Sequence, residues 1–341
     1  MDQFVRLPRD ERSLYCVQTA ERLRLSPQIV EKDFWVCWTL QALFTLPGLG
    51  AALIFKGGTS LSKVYQLIER FSEDIDVSID RARLGFGGDQ DPAAAASAKV
   101  RGRRIDRLKA ACQHAVAAEI QPALAEVIQK AGGDTGDWSL RLDEDDPDRQ
   151  TLLFAYPTRG ATIAQAYLRP VVRIEMGARS DHWPSVQAQI TPYVAQAFPV
   201  AFRAPAVAVK VLAATRTFWE KATLLHAEHH RPLEKTMPLR LSRHYYDLAR
   251  LIVAGIGEQA TTDLELLQRV VDHKTVFFPS GWARYADARR GSLRLVPVPE
   301  RTPSLAADYD SMQEMFFGER MAFAEVLRIL GEWEARFNRG T

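Results

Sequence analysis

Between residues 52 and 79 the chain reads as strand, glycine turn, helix and strand, and the second strand carries two aspartates two residues apart. Residues 52–56 form a short apolar run, 59–68 suit a helix, and across 73–79 the alternation of Ile75, Val77 and Ile79 suits a sheet buried on one face. Strand residues two apart project to the same side, so Asp74 and Asp76 set two carboxylates next to each other. Like charges placed this way are unfavourable unless a cation or a proton lies between them. An oxygen-rich site of this kind suits Mg2+ or Mn2+, which bind substrate phosphates as well. In the turn, Lys56-Gly57-Gly58-Thr59-Ser60, two glycines let backbone amides approach a phosphate at the start of a helix, and Thr59 and Ser60 offer hydroxyls. A Gly-Gly turn alone reverses a chain as readily as it binds phosphate, and a lone Asp-x-Asp equally fits an exposed edge strand. It is the pairing of the two signals that points to chemistry.

The rest of the chain frames this segment. Ser26-Pro27 is an N-cap followed by proline at the first helical position, which predicts a helix from about 27 to 45, closed by Leu46-Pro47-Gly48. Residues 34–55 lack charge, but Pro47 and Gly48 divide them into a buried helix and a short strand, so no membrane span is expected. Beyond a glycine-rich loop at 85–88, the alanine-rich stretch 92–130 reads as one or two long helices. An acidic loop at 143–148 precedes strands near 152–156 and 169–176, and helices are expected at 207–229, 241–253, 262–272 and 310–337. The predicted fold class is therefore α/β (α+β): a mixed sheet flanked by helices in residues 1–205, then a mainly helical domain in 206–341. With 341 residues, 47% of them hydrophobic, the chain is long enough for two cores. Forty-four basic against 42 acidic residues name no partner by total charge, and three scattered cysteines suggest neither a disulfide framework nor a zinc site, in keeping with a cytoplasmic protein.

Lys56-Gly57-Gly58-Thr59-Ser60-Leu61-Ser62-Lys63 followed by Arg70-Phe71-Ser72-Glu73-Asp74-Ile75-Asp76 resembles the first two motifs of the AbiEii/AbiGii-type toxin nucleotidyltransferases, relatives of the polymerase-β-like superfamily. Phe218-Trp219-Glu220-Lys221-Ala222 is similar to the third motif of that family, and Arg243-His244-Tyr245-Tyr246-Asp247-Leu248 to the fourth, in the expected order. The resemblance implies a metal-dependent enzyme that takes a nucleotide from an NTP and releases pyrophosphate. Asp74 and Asp76 would hold Mg2+ or Mn2+, and Lys56, Gly57, Gly58, Thr59, Ser60 and Ser72 would position the triphosphate. Lys221 would meet the phosphates, and Asp247 would orient that lysine or the acceptor across a cleft. It further implies a bacterial toxin acting on an RNA acceptor, plausibly the tRNA 3′ end, and neutralised by a cognate antitoxin. A small-molecule or protein-modifying nucleotidyltransferase, or a non-catalytic nucleotide-binding domain, is compatible with the same first two motifs. Without the resemblance, Lys221 and Asp247 read as ordinary helix ion-pair residues.

Glu175 interrupts the apolar strand Val171-Val172-Arg173-Ile174-Glu175-Met176, where an unpaired charge is costly, and is the candidate third metal carboxylate; Arg173, on the same face, is its alternative partner. His226, His229 and His230 lack a fixed carboxylate or cysteine partner and read as a polar helix end. Lys99, Arg101, Arg103, Arg104, Arg107 and Lys109, offset only by Asp106, suit either a phosphate backbone or a solvated helix face.

Overall fold

Seven strands form one mixed sheet in the order β3-β4-β5-β2-β1-β7-β6. They are β1 (Leu53–Lys56), β2 (Asp74–Ile79), β3 (Ser139–Leu142), β4 (Thr151–Ala155), β5 (Val171–Gly177), β6 (Ser185–Ile190) and β7 (Val207–Leu212). The computed structural model describes residues 1–72, 74–132, 138–158, 169–317 and 320–340; Glu73, where the predicted second strand begins, lies outside them. Two units can be distinguished along the chain, Met1–Val64 with Ser72–Val211, and Tyr65–Phe71 with Leu212–Thr341.

The first unit holds the sheet. β1 runs antiparallel to β2 and parallel to β7, and β2 runs parallel to β5. In β2 the residues Ile75, Val77 and Ile79 are buried, while Asp74 and Asp76 are half-buried on the opposite side, as their alternation requires. The helix Pro27–Phe44 begins as its sequence predicts, with the Ser26 hydroxyl accepting from the Ile29 amide at 3.2 Å and Pro27 in the first turn. It buries Val30, Phe34, Trp35 and Trp38. Trp35 stacks on Tyr156 at 5.4 Å between centroids and meets Phe154 edge-on, which seats the helix against the β4 end of the sheet. The uncharged run 34–55 is thus consumed by a core helix and β1, and no helix among the described residues is long and apolar enough to cross a membrane.

The second unit is helical, built on Ala214–His229, Ser242–Val253, Leu264–Phe277 and Phe323–Arg339. An aromatic cluster of Phe218, Trp219, Trp333 and Phe337 joins the first and last of these.

Three expectations are corrected. Residues 207–212 are strand β7 and not the start of a helix. Val207, Val209 and Val211 are buried with period two, and Val211 pairs with Phe55 of β1, so the sheet claims a segment whose β-branched residues suited it from the start. The helix expected over 310–337 begins only at Phe323 and runs to Arg339, and a separate helix, Thr302–Asp310, ends where the expected one was to start. The helix expected over 59–68 ends at Lys63, and residues 65–71 leave the first unit altogether.

A buried ion pair ties the short helix Gly57–Lys63 to the long one. Lys63 Nζ lies 2.5 Å from Asp33 Oδ1, and the other Asp33 oxygen accepts from the Tyr193 amide at 2.7 Å. The Lys63 ammonium also stands 3.8 Å from the centre of the Tyr193 ring. Removing one partner leaves a buried charge uncompensated. Asp33→Ala is therefore expected to destabilise the protein by about 3–5 kcal/mol, and Asp33→Leu with Lys63→Met to recover most of the loss. Urea unfolding of the three proteins checks this, and equal midpoints for Asp33→Ala and the wild type would refute it.

Candidate active site

The sheet register brings the candidate residues of the first unit into line. Lys56 is paired with Asp76, and Asp76 with Glu175; Asp74 is paired with Arg173. Paired residues share a face, so Lys56, Asp74, Asp76, Arg173 and Glu175 all project from one side of the sheet. No ion pair joins Lys56 to Asp76 among the described residues.

The turn after β1 is shaped by Asp76. Gly57 has φ +78°, and a Cβ placed on it would lie 1.9 Å from Asp76 Oδ2 and 2.6 Å from its carboxyl carbon. Glycine is required here twice over, for the left-handed backbone and for the space the carboxylate occupies. Thr59 and Ser60 are buried, and their hydroxyls are committed within the loop. Thr59 Oγ1 bonds to the Ser72 hydroxyl at 2.8 Å, to the Ser72 carbonyl at 3.2 Å and to the Asp74 carbonyl, and Ser60 Oγ donates to the Gly57 carbonyl at 2.8 Å. The Thr59 hydroxyl locks the turn to the start of β2, and that of Ser60 closes the turn on itself. What the turn offers a phosphate is backbone.

Glu175 takes the alternative its neighbour offered. Arg173 Nε donates to Glu175 Oε1 at 2.8 Å, and Arg173 Nη1 to Asp143 Oδ2 at 2.6 Å. Burial works against the Arg173 charge, yet the bond to Glu175 and the charges of Glu175, Asp143 and Asp74 outweigh it and hold its pKa above the ordinary value. Among the described residues no group of three or more His, Cys, Asp and Glu side chains is arranged to hold a metal ion. Asp74 and Asp76 would be the carboxylates that the shared strand face offers a cation. That fits Mg2+, which is commonly held by one or two carboxylates together with substrate phosphates and water.

The second unit gathers the other candidates around Asp247, which is fully buried. Arg70 grips both of its oxygens, Nε to Oδ1 at 2.7 Å and Nη2 to Oδ2 at 2.8 Å, a planar two-bond fit. Lys221 Nζ donates to Oδ2 at 2.9 Å and stands 3.3 Å from His244 Nδ1. Burial alone would raise the Asp247 pKa, but Arg70 and then Lys221 overcome it and hold the group well below the usual carboxylate range. Lys221 shifts downward, because its burial and the nearby Arg70 and Arg243 outweigh Asp247. Arg70 makes two bonds to Asp247 and Lys221 one. His244 is pushed well below its ordinary value by burial and by the adjacent Lys221 and Arg243, so its neutral ring accepts from the lysine at Nδ1.

Arg70 is the residue that sequence reasoning passed over. It lies 177 positions from Asp247, on a segment tied to its own unit by a bridge between Arg70 and Phe316 and by the Phe71 amide bonding to the Met315 carbonyl at 2.6 Å. Its one sequence signal is a place four residues ahead of Asp74. His226, His229 and His230 form no metal site. Both His226 nitrogens are occupied, one with the Arg284 carbonyl and one with the Arg294 amide, and His229 Nδ1 meets the Val296 carbonyl.

A mixed sheet whose glycine turn packs against Asp76, one of two aspartates on a single face of the adjoining strand, suits a nucleotidyltransferase-type domain. The family described as "Nucleotidyl transferase AbiEii toxin, Type IV TA system" matches residues 38–329, and the chain belongs to it. It is a nucleotidyltransferase of the toxin class found in type IV toxin–antitoxin systems. No curated protein sequence matches. Among solved structures the chain is similar to MenT4, a nucleotidyltransferase toxin from Mycobacterium tuberculosis H37Rv, with 17% identity, a TM-score of 0.49, and coverage of 97% of this chain and 93% of that one.

The contact between Gly57 and Asp76 generates a direct test. Gly57→Ala must displace the carboxylate or the turn, and a displacement of about 1 Å costs roughly 10²-fold in rate. Nucleotidyl transfer is expected to fall by about that factor in a protein that still folds, as circular dichroism would show. Wild-type activity in Gly57→Ala would mean that this turn does not position Asp76 for catalysis.

Proposed function

We propose that this protein transfers a nucleotide from an NTP to an RNA acceptor, such as the 3′ end of a tRNA, with release of pyrophosphate. The observation that carries the reading is the placement of Asp74 and Asp76 on one face of β2, with the side-chain-free Gly57 against Asp76, in a chain of the AbiEii family.

In this reading Asp74 and Asp76 hold Mg2+ or Mn2+. Such an ion, when bound, supplies charge neutralisation for the triphosphate and lowers the pKa of an attacking hydroxyl. Glu175 has Oε1 committed to Arg173, so any part it takes in the ligand set falls to Oε2. Backbone amides of Gly57, Gly58, Thr59 and Ser60 receive phosphate oxygens, with Lys56 adding positive charge at the end of β1. Ser72 braces the turn through Thr59. Lys221 is the donor that meets charge growing on the phosphates in the transition state. Its ammonium has three N–H bonds, two of which are directed at Asp247 and His244. Asp247 acts by holding that lysine. With both oxygens engaged by cations and a depressed pKa, it is poorly suited to accept a proton from a substrate hydroxyl. Arg70 positions Asp247 in turn. Catalysis of this kind rests on placement and electrostatics. A cognate antitoxin is the partner the family implies, and the cytoplasm, where NTP and tRNA are found, is the setting of the reaction.

Incubation of the protein with each labelled NTP, Mg2+ and total RNA tests the reading. Label is expected in RNA with the wild type and absent with Asp76→Ala. Label found on protein or on a small molecule, and not on RNA, would replace the RNA acceptor by one of those two.

Expression in bacteria is expected to arrest growth, and Lys221→Ala to relieve the arrest at equal protein level. Equal toxicity of the two forms would separate growth arrest from transfer.

A further inference from the structure

We propose that the outward face of the helix Ala98–His114 is the surface on which the phosphate backbone of the RNA acceptor rests, with Lys99, Arg103 and Arg107 as its contacts. This rests on the nucleotidyl-transfer reading for the identity of the RNA as acceptor, and on the helix itself for the surface.

Lys99, Arg103 and Arg107 recur every fourth residue of the helix and all three are exposed. Four residues of helix rise about 6 Å, so the three cations form a stripe about 12 Å long. That interval is close to the step between successive phosphates of a nucleic-acid strand. None of the three pairs with a carboxylate among the described residues, although Arg107 lies 5.9 Å from the centre of the Phe86 ring. The cations on the inward side have other duties. Arg104 donates to the Asp91 carbonyl at 2.9 Å, and Lys109 pairs with Asp148 at 2.5 Å. The helix thus separates cations that hold structure from cations that face solvent. Asp106, three residues from Arg103 and also exposed, is the lone acidic residue of the helix. It leaves the stripe with a positive surplus in a chain whose total charge is only +2.

The stripe belongs to the same unit as the paired aspartates. The helix is pinned near its C-terminal end to the loop that precedes β4, by Lys109 to Asp148, by Gln113 Nε2 to the Asp148 carbonyl at 2.8 Å, and by Gln150 Nε2 to the Lys109 carbonyl at 3.4 Å. Asp143 of that loop accepts from Arg173, which is in register with Asp74. A strand held on the stripe is therefore held by a surface fixed to the sheet that carries Asp74 and Asp76. Single-stranded RNA suits such a surface, because an evenly spaced row of cations reads backbone and leaves the bases and the terminal hydroxyl free.

The test uses the full chain and a labelled single-stranded RNA oligonucleotide. In the triple variant Lys99→Gln, Arg103→Gln, Arg107→Gln, the slope of log affinity against log salt is expected to become shallower by about 2, as three lost phosphate contacts require. KM for RNA should rise about tenfold or more at moderate salt, with KM for NTP and the rate at saturating RNA unchanged. Asp106→Asn should tighten RNA binding, and the charge-keeping triple Lys99→Arg, Arg103→Lys, Arg107→Lys should behave as wild type. A glutamine triple with the wild-type salt slope and KM for RNA would overturn the proposal, as would a loss confined to anionic vesicles with RNA binding intact. Should the wild type label only protein or a small molecule, the acceptor reading fails, and the salt slope still decides whether the stripe binds RNA.

Discussion

Asp76 and Gly57 occupy space that only one of them can fill. The carboxylate lies where any side chain at position 57 would begin, so the turn after β1 and the face of β2 have a single joint solution. The rest of the first unit supports that solution. β1 and β2 are paired from Leu53 with Ile79 to Lys56 with Asp76, and the bonds of Thr59 to Ser72 and Asp74 close the other side of the turn. Lys63, at the end of the short helix, is tied down by Asp33 of the helix that covers the sheet. The glycine turn is therefore held from both sides by its own unit.

The two sets of acidic residues are treated in opposite ways. Asp247 is buried and answered in full, with a guanidinium on both oxygens and an ammonium on one. Breaking such a pair costs several kcal/mol, so its geometry is strongly fixed. Asp76 is half-buried and has no ion pair among the described residues. Arg173, the cation nearest in register to Asp74, is drawn to Glu175 and Asp143. The charge at Asp247 is answered within its own unit, whereas Asp76 meets no ion-pair partner among the described residues.

How far the sequence could be read follows from the range of each interaction. β2 was legible because its signal is local: Ile75, Val77 and Ile79 alternate with Asp74 and Asp76, and a period of two survives in any tertiary setting. The start of the helix at Pro27 was legible for the same reason, since an N-cap and its proline need only their neighbours. Residues 207–212 were misread because Val-Ala-Val-Lys-Val-Leu abuts a true helix at Ala214, and the pairing of Val211 with Phe55 that decides its state is not written nearby. Arg70 was out of reach altogether. Its partner is 177 residues away, and no local pattern separates an arginine that will be buried on a carboxylate from one that stays in water.

Arg70 also shows how sequence proximity becomes structural coupling. It precedes Asp74 by four residues, yet it belongs to the helical unit, while Asp74 belongs to the sheet. The segment 65–71 that carries it is fixed at several points, with Tyr65 Oη on the Leu212 carbonyl at 2.7 Å, Glu69 on Arg250 at 2.8 Å and Phe317 bonding to the Glu69 carbonyl at 2.9 Å. The bond that neutralises Asp247 therefore draws on a residue that the sequence sets just ahead of β2 and that the fold assigns to the helical unit. A positioning role for Arg70 needs no contact with substrate.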